Sequence, residues 1–137
     1  MVGIIIVSHS RALAEGLLEL VKQVASDQVP LAIAAGAGPD NQDFGTNAIE
    51  IMEAIQALDN PQGVLVLMDL GSAILSAEMA LELLPPDMHE RVRFCAAPLV
   101  EGAIAAGIQA SLGSDLETVC REAMGALEPK KEQLGEA

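Results

Sequence analysis

Four short apolar runs recur along this chain, and a segment with helical periodicity follows each of them. The runs occupy residues 2–7, 29–35, 63–68 and 92–96. They show no strict alternation of apolar and polar residues, which is typical of strands buried on both faces of a parallel sheet. Strands that alternate with helices are joined by right-handed crossovers. The sequence therefore predicts an α/β fold: an open, mainly parallel four-stranded sheet with helices on both faces.

Apolar residues at three- and four-residue intervals predict helices between and after these strands. The helices are expected at residues 12–24, 48–58, 73–84, 103–112 and 115–127. Ser10 and Thr46 are predicted N-caps, and Ser114 with Glu117 matches the capping-box pattern. The Pro85-Pro86 pair is expected to end the third helix, because proline lacks the backbone N–H that a helix needs.

The composition indicates one folded domain with an acidic surface. The chain has 137 residues, of which 51% are hydrophobic, and a formal net charge of −13. An acidic surface disfavours nucleic acid and anionic membranes as partners and favours a basic protein. Only 1% of the residues are aromatic, which argues against base stacking on single-stranded nucleic acid. No apolar segment reaches the roughly 18 residues of a membrane span, so a cytoplasmic protein is expected.

The chain divides into one domain and a short charged end. Residues 1–128 contain the predicted strands and helices, whereas residues 129–137 are charged and weakly patterned. We expect residues 129–137 to form a frayed tail or the start of a linker. Cys95 and Cys120 form no CxxC pair, so both are expected to be buried free thiols.

Polar residues and glycines follow the strands at the points where each strand ends. The first strand ends in Ser-His-Ser at residues 8–10, and the second leads into a long loop at residues 36–45. The third ends at Asp69, just before Gly71 and Ser72. Ligand sites of open α/β sheets form at the carboxyl ends of the strands. His9 and Asp69 are therefore predicted to come within hydrogen-bonding reach of each other.

His9 has the position and the chemistry of a phosphoryl carrier. It lies just before a predicted helix, whose free N–H groups and dipole favour an anion and disfavour an imidazolium. A neutral imidazole is nucleophilic near pH 7, and Asp69 on its other nitrogen would fix the tautomer and stabilise developing positive charge. We predict that hydroxyls and backbone N–H groups hold the phosphoryl oxygens. These groups belong to Ser10, Thr46, Gly71 and Ser72.

The same residues also have simpler interpretations. A histidine at a strand end is often a cap or a solvated residue, Asp69 suits a turn, and Thr46 suits an N-cap. A metal site built from His9, Asp69 and Asp40 or Asp43 has no recognisable ligand spacing. The chain has no GxGxxG or GxxxxGK[ST] phosphate loop. Neither a bound metal nor a cofactor is expected.

Five segments of the chain, in this order, resemble a known protein family. They are Ile-Val-Ser-His-Ser (6–10), Ala-Ala-Gly (34–36), Gly-Thr-Asn-Ala-Ile (45–49), Val-Leu-Met-Asp-Leu-Gly-Ser-Ala (66–73) and Cys-Ala-Ala-Pro-Leu-Val-Glu-Gly (95–102). Together they resemble the mannose-type enzyme IIA family of the bacterial phosphotransferase system, over about residues 1–134. The last segment points to the branch that serves phosphoenolpyruvate-dependent dihydroxyacetone kinase as its phosphotransfer subunit.

The resemblance implies a mannose-type enzyme IIA fold and a phosphotransferase component that acts through a phosphohistidine. His9 would accept a phosphoryl group, originating in phosphoenolpyruvate, from HPr or an HPr-like domain. It would pass the group to ADP on the nucleotide-binding subunit of dihydroxyacetone kinase. The resemblance also implies that Asp69 orients His9, that the hydroxyls of Thr46 and Ser72 line the pocket, and that the protein is a homodimer. No strand-like sequence follows Leu127, so an exchanged C-terminal strand is not expected.

Three other functions are compatible with these residues. A sugar-transport IIA domain would pass its phosphoryl group to a IIB domain instead of to ADP. A regulatory module would report its own phosphorylation state by binding a partner. A flavodoxin-like ligand-binding domain would hold a small molecule and take no phosphoryl group.

Overall fold

The computed structural model describes residues 1–136 and contains one four-stranded, all-parallel sheet in the order β2-β1-β3-β4. The strands are β1 (Gly3–Ser8), β2 (Leu31–Ala35), β3 (Val64–Met68) and β4 (Val92–Cys95). The α/β fold and the parallel sheet are thus confirmed, and each strand lies within or next to its predicted apolar run. Strand β1 is central, and all six of its residues are buried. Burial on both faces explains why its sequence does not alternate.

Helices fill the connections between the strands. They are α1 (Arg11–Lys22), α2 (Ala48–Leu58), α3 (Ala73–Glu82), α4 (Pro86–His89), α5 (Leu99–Ser111), α6 (Leu116–Met124) and α7 (Glu128–Gln133), with a 3-10 turn at Gly125–Leu127. The proline pair follows the end of α3, as predicted, and its second proline begins the short α4. None of the helices within residues 1–136 has the length and hydrophobicity that would let it cross a lipid bilayer.

The hydrophobic core has two layers, one on each face of the sheet. Ile4 and Ile6 of β1 pack with residues of α1, α5 and α6, whereas Ile5 and Val7 pack with residues of α2 and α3. Successive side chains of a strand point to opposite faces, so one strand supplies both layers. Burial of each of these aliphatic side chains contributes about 1.5–3 kcal/mol to folding. This packing holds the end of β1, and hence His9, in a fixed position.

Two predicted N-caps are wrong by one residue. The cap of α2 is Asn47, whose side chain accepts hydrogen bonds from Ile49 N and Glu50 N, and not Thr46. The cap of α6 is Asp115, which accepts from Thr118 N, and not Ser114. In both cases the two adjacent residues can each cap a helix, and a carboxylate or amide oxygen is available next to the hydroxyl. The Ser10 cap of α1 is confirmed, since its hydroxyl accepts from Leu13 N at 3.2 Å.

The C-terminal part of the chain is more helical than predicted. Helix α5 begins at Leu99, four residues before the expected start, and residues 128–133 form α7 where a frayed tail or linker was expected. Lys130 of α7 pairs with Glu101 of α5, which ties this end to the domain. The division at residue 128 stays a prediction, and Ala137 of that segment lies outside the described residues.

Candidate active site

His9 and Asp69 meet at the carboxyl edge of the sheet, as the strand pattern predicts. Strands β1 and β3 are neighbours, and Val7 lies opposite Met68 in their register. The two strands therefore end side by side, and Asp69 N donates a hydrogen bond to Val7 O at 3.1 Å. From this position His9 Nδ1 lies 2.9 Å from Asp69 Oδ1. The side chains are 26% and 12% exposed, so solvent reaches the imidazole more than the carboxylate.

Asp69 is held by three donors. Its Oδ2 atom accepts from the backbone N–H of His9 and from the hydroxyl of Ser8, both at 2.9 Å, while Oδ1 faces the ring of His9. Burial raises the pKa of the Asp69 carboxyl, but the hydrogen bonds from His9 and Ser8 outweigh that effect and leave the pKa below its ordinary value. Asp69 is therefore an ionised acceptor at neutral pH.

An ionised Asp69 determines which nitrogen of a neutral His9 ring carries the proton. Because the carboxylate can only accept, Nδ1 must donate, and Nε2 is left with its lone pair. Ser72 Oγ lies 2.9 Å from Nε2 and donates to it in this tautomer. Ser72 occupies the cap position of α3, yet its side chain makes no capping hydrogen bond there. The ring nitrogen with an available lone pair is thus Nε2, next to an exposed hydroxyl and the start of α3.

The remaining predicted phosphoryl-binding residues have different contacts of their own. The Ser10 hydroxyl caps α1, and Gly71 lies in the turn that leads into α3. Thr46 Oγ1 lies 2.7 Å from Ser76 Oγ, so this hydroxyl pairs with a helix residue that the sequence analysis missed. Ser76 is one helical turn after Ser72, and that four-residue spacing is the signal that would have identified it.

The 36–45 loop, which leads from β2 towards α2, is joined to His9 through the backbone. Gly45 N donates to the backbone carbonyl of His9 at 2.9 Å. Inside the loop, Ala37 and Asp43 form an isolated antiparallel bridge. Gly36 has a φ of +80°, and a Cβ atom there would lie 1.9 Å from Asn41 O, so only glycine suits this turn. The loop is therefore folded and fixed to the backbone of His9.

An ion pair that the sequence analysis did not identify fastens this loop. Arg11 Nη2 donates to Glu50 Oε2 at 2.5 Å and to Ala35 O at 2.8 Å. Arg11 Nε donates to Asn41 O, and Asn41 Nδ2 donates to Glu50 Oε2. Arg11 and Glu50 are 39 residues apart and belong to different helices, so no local pattern could connect them. Arg11, two residues after His9, thus holds the loop in place, and its charge is paired with that of Glu50.

No set of three or more His, Cys, Asp or Glu side chains in residues 1–136 is arranged to hold a metal ion. Cys95 lines the pocket beside Asp69, whereas Cys120 does not. Cys95 and Cys120 are buried and free, as predicted, and burial raises the pKa of the Cys95 thiol to about 12. A thiol with such a pKa is not a nucleophile at neutral pH.

The lowered Asp69 pKa makes part of the protein's stability depend on pH. A carboxyl whose pKa falls below its ordinary value of 3.8 on folding stabilises the native state above that value. The stabilisation is lost as the pH falls through the lower, folded value. We expect the melting temperature of the wild type to exceed that of Asp69→Asn at pH 7, and the difference to shrink as the pH falls below 3.8. Circular-dichroism melts of both proteins across this range measure it.

Glu19, an exposed residue of α1, provides the control for this titration. Glu19→Gln is expected to melt close to the wild type at every pH. A difference between wild type and Asp69→Asn that stays constant from pH 7 to pH 2 would contradict the assignment of Asp69 as a carboxylate stabilised by folding.

Solved structures show which class of domain has this architecture. A crystal structure of a phosphotransferase system component EIIA from Streptococcus agalactiae superposes with a TM-score of 0.67 over 95% of each chain, at 18% identity. A crystal structure of a protein of unknown function superposes with a TM-score of 0.76 over 91% of this chain and 95% of the other, at 30% identity. The fold is that of an EIIA-type domain of the phosphotransferase system.

Sequence comparison then identifies the family. The family model EIIA-man, described as PTS system fructose IIA component, matches residues 3–120. The chain belongs to this family. A relative from Escherichia coli (strain K12), named PEP-dependent dihydroxyacetone kinase, phosphoryl donor subunit DhaM, is 52% identical over 98% of this chain. The match covers 29% of that relative's length, so the chain corresponds to a part of it.

A shorter relative matches along nearly its whole length. It comes from Listeria innocua and is named PEP-dependent dihydroxyacetone kinase 2, phosphoryl donor subunit DhaM. It is 38% identical over 122 residues, which are 89% of this chain and 96% of the relative. Proteins with this name therefore occur both with and without a large additional segment.

Proposed function

We propose that this chain is a phosphohistidine carrier that accepts a phosphoryl group on Nε2 of His9 and passes it on to the dihydroxyacetone kinase system. The observation that carries the proposal is the His9 ring, held between Asp69 at Nδ1 and Ser72 at Nε2. This arrangement leaves one nitrogen with an available lone pair and a hydroxyl beside it. The family and the names of the relatives support a phosphoryl group as the group that is carried.

In the first transfer, Nε2 attacks phosphorus in line with the bond to the donor. The new P–N bond forms as the donor's bond to phosphorus breaks, and the electron pair of that bond stays with the donor. The proton on Nδ1 does not move, and Asp69 stabilises the positive charge that the ring acquires. Ser72, released from Nε2, is free to donate to a phosphoryl oxygen. The second transfer reverses these steps towards the acceptor.

The residues around His9 suit temporary storage of the group. Arg11 is already paired with Glu50, so the pocket offers hydroxyls and backbone N–H groups in place of a free cation. We propose that Ser10, Thr46, Gly71 and Ser72 provide these contacts. Ser10 would act through its hydroxyl proton, because its Oγ accepts from Leu13 N and its backbone N–H donates to Ser8 Oγ. Moderate stabilisation keeps the phosphohistidine reactive, which a carrier requires.

We further propose that the donor is HPr or an HPr-like domain and that the acceptor is ADP on the nucleotide-binding kinase subunit. The net charge of −13 supports a basic protein donor, because opposite charges speed encounter. The relatives named above support the kinase branch over sugar transport, since their names specify a dihydroxyacetone kinase subunit. Under this proposal the chain works in the cytoplasm. The homodimer stays a prediction.

The test is phosphorylation by phosphoenolpyruvate, enzyme I and HPr. The wild type is expected to gain one acid-labile phosphate, and His9→Ala is expected to gain none, as measured by intact mass and by acid treatment. His89 is the only other histidine, so His89→Ala is the matched control and should be phosphorylated like the wild type. Label on His9→Ala, or no label on the wild type, would show that His9 is not the carrier.

The acceptor is tested with the phosphorylated protein. We expect the label to move to ADP bound to the kinase subunit and not to a IIB domain of a sugar transporter. Transfer to the IIB domain alone would favour the sugar-transport function. Retention of the label with both acceptors would favour a regulatory module.

A further inference from the structure

Ser8, the last residue of β1, is the one polar residue among the fully buried side chains of residues 1–136. It is 0% exposed, and both neighbours of its hydroxyl belong to the site. Burial of a hydroxyl costs free energy unless its hydrogen bonds are satisfied, so such a group needs partners. Alanine or valine would suit a buried strand end at least as well. The hydroxyl therefore calls for an explanation beyond packing.

The two hydrogen bonds of Ser8 have defined directions. Asp69 is ionised and can only accept, so the Ser8 O–H donates to Asp69 Oδ2 at 2.9 Å. The backbone N–H of Ser10 can only donate, so it donates to Ser8 Oγ at 3.1 Å. The hydroxyl thus lies between the carboxylate and the first residue of the turn into α1, and its proton points at Asp69.

This contact determines how the carboxylate faces the imidazole. Oδ2 is held by Ser8 Oγ and His9 N, both at 2.9 Å, and the two donors leave Oδ1 in position for Nδ1. Without the Ser8 donor, one bond to Oδ2 remains and the carboxylate can rotate about its Cβ–Cγ bond. Rotation would lengthen the bond from Nδ1 and allow the ring to place its proton on Nε2, where it blocks attack on phosphorus.

We propose that Ser8 is a positioning residue for phosphoryl transfer, which fixes the Asp69 carboxylate and thereby keeps the lone pair of His9 on Nε2. This inference rests on the proposed role of His9 as the phosphoryl carrier. Ser8 itself does not contact the phosphoryl group, because it is fully buried. It acts through Asp69, one hydrogen bond further from the ring.

The first measurement needs no phosphoryl donor. Nitrogen-15 NMR of the His9 ring, at a pH where the ring is neutral, distinguishes a protonated Nδ1 from a protonated Nε2. The wild type is expected to carry the proton on Nδ1, and Ser8→Ala is expected to show a mixture of the two tautomers. Ser8→Thr retains the hydroxyl on a residue that strands favour, so it should restore the wild-type signature.

The second measurement is the rate of phosphorylation by phospho-HPr at saturating donor. We expect Ser8→Ala to be slowed about tenfold at an unchanged half-saturating donor concentration, since the donor does not touch this residue. Ser8→Thr is expected to be close to the wild type. Ile51→Val is the control for general destabilisation, because Ile51 is fully buried in the layer of α2. It should melt earlier and transfer at the wild-type rate.

The outcomes separate this inference from the function on which it rests. Ser8→Ala with a wild-type tautomer and a wild-type rate would overturn the role of Ser8, whatever its melting temperature. Should Ser8→Ala fail to fold, Ser8→Val matches the shape of Ser8→Thr without its hydroxyl, and a wild-type tautomer and rate in that variant would overturn the role equally. A wild type that takes no label but carries its ring proton on Nδ1 would contradict the carrier function. The tautomer of Ser8→Ala would then still test whether Ser8 positions Asp69.

Discussion

Asp69→Asn is expected to slow phosphorylation of His9 by a factor on the order of 10³ while the fold is retained. The amide oxygen can take the place of Oδ2, where it accepts from His9 N and Ser8 Oγ. The amide NH₂ then faces Nδ1 and donates to it. The ring must move its proton to Nε2, the atom that should attack phosphorus. The variant therefore preserves the geometry of the site and holds the wrong tautomer.

Asp69→Ala separates tautomer control from simple loss of a charge. Alanine neither donates to nor accepts from Nδ1, so the ring still visits the productive tautomer, and the rate is expected to fall less than in Asp69→Asn. Single-turnover transfer from phospho-HPr, followed by rapid quenching, measures both rates. Circular dichroism confirms the fold of each variant.

Asp59→Asn is the matched control for this experiment. Asp59 follows α2 near the opposite end of the sheet and pairs with Arg91, whose hydrogen bond lowers the pKa of the Asp59 carboxyl. The substitution makes the same change of charge far from His9, and its transfer rate should equal that of the wild type. A rate for Asp69→Asn within twofold of the wild type would reduce Asp69 to a turn residue.

The parts of this site that sequence could predict are those that depend on the backbone. Apolar runs that do not alternate predict buried parallel strands, and parallel strands bring their carboxyl ends to one edge. That reasoning placed His9 near Asp69, and the 2.9 Å contact between Nδ1 and Oδ1 agrees with it. Neither step needs side-chain detail, because the sheet itself carries the residues together.

The parts that sequence could not predict depend on choices between neighbouring side chains. Thr46 and Asn47 can each cap α2, and the structure uses the asparagine while the threonine pairs with Ser76. The sequence indicates only that Ser8 is the polar end of a strand. The structure shows that its hydroxyl is buried and donates to Asp69 Oδ2. The pair of Arg11 with Glu50 spans 39 residues and leaves no periodic signal.

Glu50→Gln is expected to release the 36–45 loop and to lower the stability of the protein by about 2–3 kcal/mol, the usual cost of losing hydrogen bonds to a charged group. Glu50 accepts three hydrogen bonds. Its Oε1 atom accepts from Ala35 N at 2.6 Å, and its Oε2 atom accepts from Arg11 Nη2 at 2.5 Å and from Asn41 Nδ2 at 2.7 Å. Glutamine offers one oxygen in place of two, so its NH₂ must face a donor. The side chains of Arg11 and Glu50 are 18% and 22% exposed, so water replaces the lost bonds poorly.

Loosening this loop should reach His9 through the backbone. Gly45 N donates to His9 O at 2.9 Å, and Thr46 follows directly, so a mobile loop weakens one support of the histidine and displaces one proposed phosphoryl contact. We expect the melting temperature to fall by about 8 °C and phosphorylation to slow several-fold. Hydrogen exchange at the amides of residues 36–45 should accelerate, while that of β1 stays slow.

Glu117→Gln is the control, since it removes the same charge from another ion pair with arginine. Its partner is Arg93. The Arg93 side chain is 43% exposed and the Glu117 side chain is 68% exposed. Exposed pairs contribute about 0–1 kcal/mol, so this variant should melt and react much like the wild type. Equal effects of the two substitutions would mean that the Arg11–Glu50 pair is an ordinary surface contact. The loop would then owe its position to its backbone contacts, such as the Ala37–Asp43 bridge and the bond from Gly45 N to His9 O.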